Sequence, residues 1–167
     1  MIRFLIKYGI MFVSLVLVQV LILNQVQFSG FVNPYVYVLF ILLLPLSTPR
    51  YLVMVLAFLL GLTIDVFSNS LGVHAAASVF IAYLRPFVIR VISNREEDRN
   101  DYPGLFQNKF TWFLSYVSII VFLHHFVLFY LEVFSFSNFG NTFYRVILSA
   151  VFSIFVIVLS QFLVFRD

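Results

Sequence analysis

Residues 31–50 read FVNPYVYVLFILLLPLSTPR. An apolar run is framed by Pro34 and Pro45, with Pro49 close behind, and the fold turns on whether this run crosses a membrane as a helix. From Phe31 to Leu46 it has 16 residues. At about 1.5 Å per residue a helix of that length reaches about 24 Å, which is short for a hydrocarbon core of about 30 Å. Pro45 removes an amide near one end and Pro49 acts as a stop. The segment is therefore expected to be a short or partly broken span.

The rest of the chain sets the environment. Of its 167 residues 63% are hydrophobic and only 10% charged, against roughly a quarter charged in soluble domains. Six apolar segments follow from the pattern, at 8–24, 31–46, 51–67, 71–92, 111–133 and 143–165. The expected fold is all-α: a single polytopic membrane domain of six transmembrane helices. Arg3 and Lys7 before the first run imitate a signal peptide, but no small-x-small site follows, so a retained helix is expected. There is no cysteine, which removes disulfides and thiolate chemistry.

Between Ser93 and Phe110 the composition changes to SNREEDRNDYPGLFQNKF, which holds seven of the seventeen charged residues and a Pro-Gly pair. The loop 93–110 is expected to be aqueous. Its acids Glu96, Glu97, Asp98 and Asp101 outnumber its bases by four to three, so it is a poor anionic-lipid binder by itself.

Six spans put both termini on one side, and basic residues should crowd the cytoplasmic side. With the N-terminus inside, that side holds Arg3, Lys7, Arg50, Arg90, Arg95, Arg99, Lys109 and Arg166. Arg145 lies near an outer helix end, and Arg85 lies within the fourth span. The expected topology places both termini on the cytoplasmic side. The net charge of +3 is then topology information, and nucleic acid is not an expected partner.

In GLTIDVFSNSLGVHAAA, residues 61–77, Asp65 falls in the last turn of the third span. A helix C-terminus disfavours negative charge, so a partner is required: a cation such as His74, a hydroxyl, or the N-terminus of the next helix at Ser70–Gly72. Gly61 lies four residues earlier on the same face, where it permits a second helix to approach closely. Ser68, Asn69 and Ser70 suit capping. Two readings stand side by side, a hairpin tether and a binding site.

Other chemistry is weaker. His124 and His125 are adjacent and point about 100° apart on a helix, and with Glu132 they form no zinc pattern; interhelical hydrogen bonds are the expected role. Glu132 and Arg145 suit a modest interfacial ion pair. Arg85 precedes Pro86, which frees carbonyls that Arg85 can satisfy; its plain alternative is to snorkel. The chain offers no nucleophile with a base at usable spacing, and no metal or cofactor is expected.

The pattern Pro34, Pro45 or Pro49, Gly61, Asp65, Ser68–Ser70 and Gly72, followed by AAASVFIAYL at 75–84, resembles the rod shape-determining MreD family. The match runs from Asn33 to Leu84, about a third of the chain. The resemblance implies a fold similar to the substrate-binding membrane subunits of energy-coupling-factor transporters. It also implies a non-enzymatic scaffold that binds MreC and, through it, MreB, RodA and a class B penicillin-binding protein. It implies a location in the bacterial inner membrane. Taken with the residue-by-residue reading above, the candidate structural or interaction residues are Pro34, Gly61, Asp65, Asn69, Gly72, His74, Arg85 and Glu132. A vitamin-binding transporter subunit is the alternative, and it requires a ligand-sized pocket with convergent polar groups at the outer end.

Overall fold

The computed structural model describes residues 2–25, 32–93, 101–134 and 139–163. Residues 94–100 of the charged loop, including Arg95, Glu96, Glu97, Asp98 and Arg99, lie outside these residues, as do Phe31, Arg166 and part of the connection before the last span. Six α-helices are present: α1 (Ile2–Leu21), α2 (Leu39–Leu43), α3 (Arg50–Ser68), α4 (Val73–Ile92), α5 (Phe110–Val133) and α6 (Phe139–Leu163). Among the described residues there is no strand.

Five of these segments are long and apolar enough to cross a membrane, which is the signature of a membrane-embedded helical protein. The expected span at 31–46 is the exception. Its helix α2 has only five residues, and residues 33–36 carry no regular structure. The prolines account for the form: Pro34 cannot donate an amide, and Pro45 ends the apolar run.

This broken segment is the most buried part of the molecule. Tyr37 to Leu44 are each at most 2% exposed. Irregular backbone at membrane depth is tolerated only where protein surrounds it and supplies hydrogen-bond partners, and both conditions hold. The Gln19 amide donates to the Pro34 carbonyl at 2.9 Å, and its oxygen accepts from Val36 N at 2.9 Å and Tyr37 N at 3.4 Å. The α6 hydroxyls of Ser149 and Ser153 accept from Asn33 N at 3.1 Å and Tyr35 N at 2.9 Å.

The two ends of the bundle can be told apart by their bonds. At one end, Asn24 beyond α1 donates to Ser68 at the end of α3 at 3.0 Å, and Tyr130 of α5 donates to the carbonyl of Phe139 in α6 at 3.1 Å. This is called the turn end. At the other end, the Lys7 ammonium sits 4.9 Å from the Tyr102 ring centroid, and Leu46 N donates to Asp101 O at 2.7 Å. Lys7, Arg50, Arg90 and Lys109 lie at this basic end. Residues 32–46 therefore pass from the turn end to the basic end through the interior, as a crossing that is mostly not helix.

The basic-end loop is anchored as well. The Asp101 carboxylate accepts from Ser47 N at 2.6 Å and Ser47 Oγ at 2.7 Å, while Trp112 Nε1 donates to Ser93 Oγ at 3.0 Å. Leu105 is buried, and its amide donates to Gln161 at 3.4 Å.

Candidate functional site

Helices α3 and α4 form the tightest pair in the bundle, and the reason lies in Gly61. A Cβ there would sit 2.5 Å from both Ala75 Cα and the His74 carbonyl oxygen, so only glycine lets the two backbones meet. The chain leaves α3 through Asn69, whose φ of 56° is left-handed and whose amide donates to the Asp65 carbonyl. It enters α4 through Gly72, whose φ of 81° favours glycine.

The Asp65 side chain closes this corner. Its Oδ1 accepts from the Ser70 hydroxyl at 2.6 Å, from His74 N at 3.1 Å and from His74 Nδ1 at 3.0 Å; its Oδ2 accepts from Ala75 N at 2.8 Å. The three expected kinds of partner are all engaged: a hydroxyl, an imidazole and the first turn of the next helix. Asp65 acts as a cap for α4 supplied from the neighbouring helix, and it meets the positive end of that helix dipole. Because a carboxylate oxygen only accepts, His74 carries its proton on Nδ1. Asp65 is 2% and His74 7% exposed.

From His74 a polar aromatic cluster runs inward. The Tyr35 ring lies 5.4 Å from the rings of both His74 and His125, each centroid to centroid. Tyr37 Oη and His124 Nε2 share a hydrogen bond of 2.7 Å. His125 Nδ1 lies 2.8 Å from the Val121 carbonyl, and its Nε2 lies 3.0 Å from Ser153 Oγ. A carbonyl cannot donate, so Nδ1 holds the proton and Nε2 accepts from the Ser153 hydroxyl, whose oxygen in turn receives Tyr35 N. Both histidines thus bond outside α5, His124 to the buried segment and His125 to α6. Among the described residues no group of three or more metal-ligating side chains gathers at one point.

A cavity of about 350 Å³ opens at the turn end, lined by Asn24, Asn33, Ser70, His74 and Glu132 among others. Glu132 is 3.6 Å from Arg145, and the Arg145 guanidinium also lies 4.5 Å from the Phe129 ring centroid. Pro34 lines the same cavity.

Arg85 stands apart from this corner. It is 4% exposed and does not snorkel. Its Nε donates to Tyr116 Oη at 2.8 Å, and its terminal nitrogens donate to the carbonyls of Leu44 and Pro45. Tyr116 Oη donates to the Leu42 carbonyl at 3.1 Å. Arg85 and Tyr116 therefore satisfy the C-terminal end of α2, where a cation is electrostatically favoured. The carbonyls it meets belong to the buried segment.

Of the eight residues singled out from sequence, the structure brings Gly61, Asp65, Asn69, Gly72 and His74 into one corner. Pro34 and Glu132 border the cavity beside it, and Arg85 lies toward the opposite end. Sequence reading missed Gln19, Tyr37, Tyr116, Ser149 and Ser153, which hold the buried segment. Their signal was a polar group recurring inside an apolar helix, clearest for Ser149 and Ser153, four residues apart on one face of α6. No family model, curated protein or solved structure matches the chain.

Proposed function

We propose that this protein is a non-enzymatic scaffold of the MreD type in the bacterial inner membrane, with both termini cytoplasmic and the basic end of the bundle inside. In this reading it binds MreC and helps organise the elongation complex of MreB, RodA and a class B penicillin-binding protein during lateral peptidoglycan synthesis. The carrying observation is the locked corner. Gly61, Asp65 and Gly72, the residues on which the family resemblance rests, are the ones that fix how α3 meets α4. A corner whose polar groups are spent internally suits a rigid docking element better than a reaction centre. The orientation is supported by the gathering of Lys7, Arg50, Arg90 and Lys109 at one end.

The test is affinity purification from gently solubilised membranes, comparing the wild-type protein with Asp65→Ala. Recovery of MreC and elongation polymerase components with the wild type is the expected result. Their absence from membranes that contain them overturns the reading.

The cavity of about 350 Å³ beside His74 and Glu132 favours a second reading, a substrate-binding subunit of an energy-coupling-factor transporter. Its volume falls at the small end of the roughly 300–1,000 Å³ typical of ligand sites. Against it, the bundle interior is filled by Tyr37–Leu44. Co-purification of transporter ATPases and a tightly held vitamin would establish this alternative.

A further inference from the structure

We propose that a second cavity, between the start of α3 and the second half of α4, binds the phosphate headgroup of an anionic phospholipid. The cavity measures about 220 Å³ and is lined by Leu46, Thr48, Arg50, Ala82, Arg85 and Pro86 among others. It lies at the basic end, at the opposite pole of the bundle from the Asp65 corner.

The argument begins with an unbalanced charge. Arg85 is 4% exposed, yet neither of the ion pairs among the described residues includes it. A buried charge is ordinarily neutralised by a counter-charge, because hydrogen bonds to neutral groups offset only part of its lost hydration. A guanidinium has five N–H donors. Arg85 gives three hydrogen bonds, to Tyr116, Leu44 and Pro45, and the one to Pro45 is long at 3.5 Å. Donor capacity and positive charge are both left over on a side chain that borders the cavity.

The remaining lining supplies the same chemistry. Arg50 is exposed at the first position of α3; its guanidinium lies 5.9 Å from the Phe87 ring centroid and is in no ion pair among the described residues. Thr48 adds a hydroxyl, and the start of the 19-residue helix α3 adds the positive end of its dipole. No described residue lining the cavity is acidic. Asp101, the described acid at this end, is committed to the Ser47 amide and hydroxyl.

The ligand must therefore be an anion that can donate oxygens to two guanidinium groups, as a phosphate does. The surroundings select a lipid as its carrier. Tyr51, Leu52, Phe87 and Val91 are exposed apolar side chains on the two helices that flank the cavity, positioned to take acyl chains while the headgroup turns inward. Basic pockets between helices at the cytoplasmic face are the physical form that headgroup recognition takes. The volume is below that of a drug-sized site.

The experiment is native mass spectrometry of the full chain, released from micelles that contain phosphatidylglycerol and phosphatidylcholine in equal amounts. Wild type is expected to retain phosphatidylglycerol preferentially. Arg50→Gln, a change at an exposed position that leaves the buried bonds intact, is expected to lower that preference by roughly fivefold. Arg90→Gln, an exposed change on α4 outside the cavity, is expected to leave it unchanged. Equal retention of the two lipids by wild type, or an equal loss in both variants, overturns the proposal. A parallel arm adds inorganic phosphate at millimolar concentration. Retention of phosphatidylglycerol under that challenge supports the lipid source, and its displacement by free phosphate overturns it.

Discussion

The side-chain amide of Gln19 is bonded on both its faces to one short stretch of backbone: its nitrogen donates to Pro34 O and its oxygen accepts from Val36 N, each at 2.9 Å. One side chain of α1 thereby replaces the bonds that a helix would have supplied at the entry of the buried segment. Gln19 is 1% exposed. Replacing it with leucine takes this partner from the Pro34 carbonyl and from the Val36 and Tyr37 amides, and each buried group left unpaired costs about 1–3 kcal/mol. Gln19→Leu is expected to lower thermal stability in detergent clearly. Equal melting temperatures for wild type and Gln19→Leu would show that the segment is held without it.

Asp65→Ala removes four hydrogen bonds and the cap of α4, and a loss of at least about 2 kcal/mol is expected. Asp65→Asn keeps one acceptor oxygen and is expected to fall between. Partner recovery, normalised to folded protein, then separates two roles for this carboxylate. A drop beyond the loss of fold assigns it a contact, and a proportional drop assigns it to the corner alone.

Gly61→Ala tests the helix contact without removing a polar side chain. Its new methyl would meet the backbone of His74 and Ala75, and forcing α3 and α4 apart is expected to cost about 1–3 kcal/mol. Gly9, where an added Cβ meets nothing within 4 Å, provides the control. Differential scanning fluorimetry of Gly61→Ala and Gly9→Ala should separate them.

Tyr116→Phe removes one donor from the Leu42 carbonyl and one acceptor from Arg85. A destabilisation of about 1–3 kcal/mol is expected. Chemical denaturation in mixed micelles measures it, and a value indistinguishable from zero would show that Arg85 alone closes the end of α2.

Glu132→Gln is expected to change stability by less than about 1 kcal/mol, because the carboxylate is 46% exposed and 3.6 Å from Arg145. A larger effect in a thermal melt would give this ion pair a structural weight that its exposure argues against.

The corner from Gly61 to Ala75 was legible because every requirement there is local. A carboxylate at a helix end, a glycine one turn before it and a capping turn after it restrict the geometry to a tight hairpin. The prolines likewise pointed to a short or partly broken span at 31–46. What they could not announce was the route of that segment. Its partners Ser149 and Ser153 are more than a hundred residues away, and a lone hydroxyl in an apolar helix carries no address. Arg85 shows the same limit: its neighbour Pro86 suggested freed carbonyls nearby, whereas the carbonyls it binds belong to Leu44 and Pro45. Adjacent histidines gave direction without partner, and Tyr37 and Ser153 turned out to supply them.

The threading of residues 32–46 also ties an early part of the chain to a late one. The segment leaves the ribosome early, but the hydroxyls that receive Asn33 N and Tyr35 N sit on the last helix. The native partners of those amides are therefore made only when α6 is. The native bonds at the entry of the second segment are consequently completed by the last described helix, 25 residues long.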